Sequence, residues 1–253
     1  MDINKLVIDF SPTKKLYLED PYLREAKAKV LASKQEKKNI YIILDRSIYH
    51  PKGGGQPTDL GFIRGEGFAV RLKKVLEARG VLVHFGKLDG RLPRAGEVVN
   101  CSLDWQRRHL IMRLHTAGHI LDYALRDVYG RVVDTLGANH GPPEAFTEYK
   151  ADPPNSEQIK IISKKANKIV EERRAVRFVY VAQNELLKFA KEAPNLDRLP
   201  RAEKYRLVVI EGINAIPCMG THVTNTGEVG PIELKKVEKT DQGFKLYYSV
   251  KEL

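Results

Sequence analysis

His115 and His119 stand four residues apart, and so do Cys218 and His222, in a chain of 253 residues that has only two cysteines. Positions four apart on a helix project from one face, one turn from each other, so the first pair can grip a single ion. The second pair lies in Pro217-Cys-Met-Gly-Thr-His222, a glycine-containing turn after an apolar strand, and adds a soft thiolate and a third imidazole. Together the four offer the nitrogen and sulfur donors that zinc prefers. We therefore expect one Zn2+ ion held by His115, His119, Cys218 and His222. The helical pair alone would also suit two solvent-facing histidines; the second pair tips the reading toward metal. A zinc peptidase would carry a glutamate directly after the first histidine to activate water, and Thr116 stands there instead. Four protein ligands close a tetrahedral ion, as in structural sites, so catalysis requires one of them to be loose. The spacing does not single out which.

The elements that position these residues fall into two blocks. From residue 1 to 104 the chain shows short β-rich runs, such as Asn39-Ile-Tyr-Ile-Ile-Leu44 and Gly80-Val-Leu-Val-His-Phe85, between glycine, proline and charged turns. That spacing predicts a small β-barrel or sandwich. At Trp105 the period changes: Leu110, Leu114, Ala117, Leu121, Ala124 and Val128 form the stripe of an amphipathic helix, which Gly130 ends. A second helix carries Ile159, Ile162, Ala166 and Ile169 on one face behind an Asn155/Gln158 cap. Runs at 177–181, 205–210 and 244–250 read as strands. The expected fold is α+β, with a barrel domain at 1–104 and, at 105–253, helices packed on an antiparallel sheet.

Lys and Arg outnumber Asp and Glu by 43 to 32, a net charge of +11, which favours a polyanionic partner such as RNA. No stretch approaches the roughly 20 apolar residues of a membrane span, and Met1-Asp-Ile-Asn-Lys5 lacks the apolar block of a signal peptide. A soluble, cytoplasmic protein is expected. Two cysteines make no disulfide framework. Gly53-Gly-Gly55 lacks the lysine-serine ending of a phosphate-binding loop, which argues against a nucleotide site.

Beyond these readings, His-x-x-x-His, Cys218-Met-Gly-Thr-His-Val223 and Asn225-Thr-Gly-Glu-Val-Gly-Pro231 resemble the editing domain of alanyl-tRNA synthetases and its free-standing form, the AlaX family. Tyr49-His-Pro-Lys-Gly-Gly-Gly-Gln-Pro-Thr-Asp59 is similar to the glycine-rich motif of the medium-length class of that family. The long class carries a further carboxy-terminal domain, for which this chain has no room. Met219 departs from the pattern, filling a place where the synthetases commonly have glycine.

The resemblance implies a zinc-dependent hydrolase that removes serine, or glycine, from mischarged tRNA(Ala) and spares alanyl-tRNA(Ala). A synthetase pocket shaped for alanine cannot strongly exclude an amino acid that merely adds a hydroxyl, so a second, hydrolytic site is needed. Thr135 is the expected reader of the serine hydroxyl. Gly53, Gly54, Gly55 and Gln56 are expected against the substrate, Gln56 as the polar group that reaches it, and Thr116 within the reaction centre. Arg107, Arg108 and Arg113 are expected to meet acceptor-stem phosphates. His140 is read as a surface residue, with an extra polar group in the site as the alternative. Two other readings stay open: an RNA-binding module with a structural zinc and no catalysis, and a metal hydrolase acting on small esters or D-aminoacyl-tRNA.

Overall fold

The computed structural model describes residues 3–252, so the first two residues of the amino-terminal reading lie outside the described residues. The chain divides into two compact units. One comprises the residues up to Gly53 together with Pro57–His109; the other comprises Gly54–Gln56 and Leu110–Leu253.

The first unit is a closed six-stranded barrel. Its strands run in the order Glu25–Glu36, Asn39–Leu44, Val81–Gly90, Phe68–Ala78, Gly61–Gly65 and Val98–Leu103, which returns to the first. Alternation builds it: Phe68, Val70 and Leu72 face inward while Arg71 and Lys73 face water, and Val30, Ile40, Ile42, Ile63, Val75 and Val99 complete the core. Closure leaves no sheet edge exposed. Inside this unit, Arg108 and Asp59 form a fully buried ion pair, with Arg108 Nε 3.0 Å and 3.1 Å from the two carboxylate oxygens. Arg108 also donates to Ile48 O at 2.6 Å and Pro21 O at 2.9 Å. Its guanidinium is therefore part of the interior and has no face for a phosphate, which corrects the expectation from sequence.

The second unit contains two antiparallel sheets. One has the order Ile232–Thr240, Gly243–Val250, Ala145–Tyr149, Thr135–Asn139, and the other Val176–Ala182, Lys204–Ile210, Asn214–Pro217. The long helix Trp105–Tyr129 ends where Gly130 takes φ +66, a conformation that costs a side chain but not glycine. From Ile111 to Leu121 every residue of this helix is buried, so metal-ligand candidates sit in its most protected stretch. The helix Ser156–Glu171 begins with the anticipated cap: the Asn155 side chain accepts from Gln158 N, and Gln158 answers onto Asn155 N. Its Ile162, Ala166 and Ile169 are buried. Barrel, helices and separate sheets are compatible with an α+β class. Among the described residues, no helix is long and apolar enough to cross a membrane.

Candidate metal centre and its cleft

The helical pair and the turn pair converge. One ligand atom from each of His115, His119, Cys218 and His222 lies within 4.8 Å of all the others. Cys218 Sγ is 3.6 Å from His115 Nε2 and 3.4 Å from His222 Nε2. Tetrahedral bonds of about 2.0–2.3 Å imply edges of roughly 3.3–3.8 Å, which the two Cys218 separations match. His119 is buried too, and its Nδ1 has no hydrogen-bond partner among the described residues. Burial pushes the His119 imidazole down to about 3, with smaller contributions from His140 and Arg206, so it stays neutral and able to ligate at neutral pH.

Two of the rings are braced from behind. His115 Nδ1 lies 3.0 Å from Gln56 Oε1, an oxygen that can only accept, so the proton sits on Nδ1 and the lone pair on Nε2. Thr116 donates its hydroxyl hydrogen to Met112 O at 2.9 Å, and its oxygen then accepts from His222 Nδ1 at 3.1 Å. The same logic leaves His222 Nε2 to the ion. No such brace is found on His119 Nδ1. Gly220 makes the assembly sterically possible, since a Cβ there would lie 2.6 Å from His115 Nδ1 and 2.8 Å from Gln56 Oε1.

Gln56 and Thr116 thus brace two of the candidate ligands and are not among the residues lining the cleft. Gln56 is 1% exposed, with its oxygen accepting from Thr221 N at 2.9 Å as well, and its NH2 donating to Thr221 Oγ1 at 3.0 Å. The cleft, about 520 Å³, is lined by Gly54 and Gly55, three of the ligands, Thr135, His140 and Met219, among others. Gly54 and Gly55 have positive φ, and Gly55 O accepts from His140 N at 2.8 Å. Gly53 is not among the lining residues.

Thr135 sits at the cleft wall. Its Oγ1 accepts from Asn195 Nδ2 at 2.6 Å, which leaves the hydroxyl hydrogen available as a donor. His140 differs from its surface reading: it is buried, stacks on His115 with centroids 4.4 Å apart, and its ring reaches the Tyr248 hydroxyl at 2.7 Å. That hydroxyl donates to Leu114 O at 3.2 Å, so His140 Nδ1 is the donor and Nε2 an acceptor. Gly118 admits the ring, since a Cβ there would meet His140 Nδ1 at 2.9 Å. Arg113, also expected on a tRNA face, is buried and donates to Val229 O at 3.0 Å and to Lys251 O, caught between backbone carbonyls. Arg107 alone of the three is half-exposed, with Nε 3.4 Å from Thr58 O.

Two functional side chains escaped the sequence reading. Arg206 donates to Cys218 O at 2.7 Å and Gly220 O at 3.1 Å, which fixes the turn, and its charge opposes the rise that burial imposes on the Cys218 thiol. Its signal was a cation inside the strand-like run Tyr205-Arg-Leu-Val-Val-Ile210. Asp122 lines the cleft and accepts from the Tyr149 hydroxyl at 2.8 Å; burial pushes its carboxyl up to about 7, partly offset by that bond.

The comparisons with known proteins agree with this geometry. Residues 20–107 match the family described as tRNA synthetases class II (A), and residues 205–244, which include Cys218 and His222, match the threonyl and alanyl tRNA synthetase second additional domain. An alanyl-tRNA editing protein AlaX-L of Pyrococcus horikoshii is 36% identical over 89% of this chain and 54% of its own length. Alanine–tRNA ligases of Ignicoccus hospitalis and Korarchaeum cryptofilum are 38% and 36% identical, each over 92% of this chain, which spans 25% and 26% of their lengths. The chain thus covers about half of the editing protein and a quarter of the ligases. It is a homologue of the alanyl-tRNA editing protein AlaX-L and of the matching region of the alanine–tRNA ligases.

Proposed function

We propose that the chain is a zinc-dependent aminoacyl-tRNA deacylase that hydrolyses the ester of seryl-tRNA(Ala), and of glycyl-tRNA(Ala) as a second substrate, while sparing alanyl-tRNA(Ala). The observation that carries this is the convergence of four candidate metal donors, three of them lining a cleft that Thr135 also lines. In this reading residues 1–104 form a barrel domain that bears the glycine-rich motif, and 105–253 form the editing domain.

A zinc ion held by His115, His119, Cys218 and His222 would supply Lewis acidity toward the ester carbonyl. The protein's own groups do the rest. Gln56 and Thr116 fix the tautomers of two ligands, which pre-organises the site. His119, whose Nδ1 lacks a brace, would be the ligand freest to loosen. His140 stacks on His115 and keeps Nε2 as an acceptor at the cleft wall. Gly54 and Gly55 keep the wall narrow without side chains, and Arg107 remains for a backbone phosphate. Thr135 donates to the serine hydroxyl; with alanine that donor loses its partner, and selectivity follows.

Deacylation assays on seryl-, glycyl- and alanyl-tRNA(Ala) test this directly. We expect release of serine and little release of alanine. Equal turnover of serine and alanine, or turnover indifferent to the tRNA(Ala) acceptor stem, would contradict it.

A further inference from the structure

The cleft contains a charged group that the reaction as described does not use. Asp122 follows His119 by three residues on the same helix, which puts the two on one face within a turn. It is the sole carboxylate among the residues lining the cleft. Tyr149 orients it through the 2.8 Å bond to Oδ1. No cation neutralises it among the described residues. Arg126, one turn further on, is paired with Glu192, and Arg198, also at the cleft, donates to Thr135 O at 2.9 Å. Burial holds its carboxyl up to about 7, as expected of an acid that has lost water and gained no positive partner.

We infer that Asp122 receives the α-ammonium group of the bound aminoacyl moiety, which restricts this site to esters of amino acids with a free amine. This inference rests on the deacylase reading above. The amine of an aminoacyl ester is two bonds from the carbonyl carbon, so a carboxylate one turn from the ligands is within reach of it. Thr135 then reads the side chain and Asp122 the amine, two contacts that together fix the acyl group. An N-acylated or peptidyl ester presents no cation and leaves Asp122 without a partner.

The test is binding of two non-hydrolysable analogues, measured by calorimetry. One is serine joined by an amide to 3′-amino-3′-deoxyadenosine; the other has hydrogen in place of the amine. Charge-assisted hydrogen bonds are the stronger kind, so the intact protein should bind the amine form about tenfold to a hundredfold more tightly. Asp122→Asn, which keeps an acceptor for Tyr149, should bind both forms alike. Asp122→Glu, which keeps the charge, should retain a preference even if the asparagine variant melts early. Equal binding of the two analogues by the intact protein, or an undiminished preference in Asp122→Asn, overturns the inference. Preference for the amine form without any seryl-tRNA deacylation would instead remove the deacylase reading and leave the amine site standing.

Discussion

Gln56 makes three hydrogen bonds in the interior of the site, and their loss has a calculable effect. Leucine is close to glutamine in volume but can neither donate nor accept. In Gln56→Leu the Thr221 N–H, at 2.9 Å from the glutamine oxygen, and the His115 Nδ1–H, at 3.0 Å, both lose their acceptor. Each unsatisfied buried donor costs about 1–3 kcal/mol. With partial relaxation, we expect the metal-free protein to lose roughly 2–4 kcal/mol of unfolding free energy in urea. The second consequence is specific to a brace. Freed from Gln56, the His115 ring can rotate or change tautomer, and zinc affinity should fall about 10- to 100-fold in competition with a chelating dye. A folded Gln56→Leu protein with unchanged zinc affinity would refute the bracing argument, and a rise in KM for tRNA alone would return Gln56 to the substrate.

Other consequences follow from single features. Gly220→Ala forces the His115 ring aside, since the added Cβ would lie 2.6 Å from Nδ1; we expect at least a tenfold loss of zinc affinity by the same dye competition. Arg108→Met strands the buried Asp59 carboxylate and should cost about 3–5 kcal/mol in urea unfolding with KM for tRNA unmoved, whereas a raised KM with normal stability would reinstate the phosphate role. His84 is buried in the barrel, its ring between Ser47 Oγ at 2.8 Å and Ile42 O at 3.2 Å, and burial lowers it from 6.5 to about 4. Because the unfolded chain takes up this proton first, stability is full above pH 6.5 and falls by about 3 kcal/mol as pH drops to 4. Urea titrations across that range should show a flatter slope in His84→Leu. Thr135→Val should leave the melting temperature within a few degrees but cut the serine-over-alanine preference about tenfold or more in deacylation assays.

The clustering of the four candidate ligands was legible because metal binding constrains residue type and spacing together, and both survive in a linear sequence. The strands at 39–44, 205–210 and 244–250 were legible for a similar reason, since each carries a run or alternation that only a half-buried or buried strand requires. Thr135–Asn139 was not, because all five residues are half-buried and Gly137 interrupts any pattern. In Ala145–Tyr149 burial does alternate, but the inward positions are Ala, Thr and Tyr, which hydropathy does not mark. Polar residues were misplaced where type reveals bonding capacity without revealing a partner. Gln56 and Thr116 face histidines, Arg108 faces Asp59 inside the barrel, and Arg113 faces carbonyls more than a hundred residues away in sequence. His140 was hidden because its slot depends on Gly55, Gly118 and Tyr248 at once.

The central claim is that the ion held by these four residues serves the reaction and does not merely hold the fold. The most direct measurement strips the protein with a chelator and titrates zinc back while following seryl-tRNA(Ala) deacylation and far-ultraviolet circular dichroism together. The account predicts that the spectrum stays folded throughout and that activity rises linearly to a break at one zinc per chain. Activity that persists in the stripped protein, or a spectrum that collapses without metal and recovers only with it, would contradict the claim.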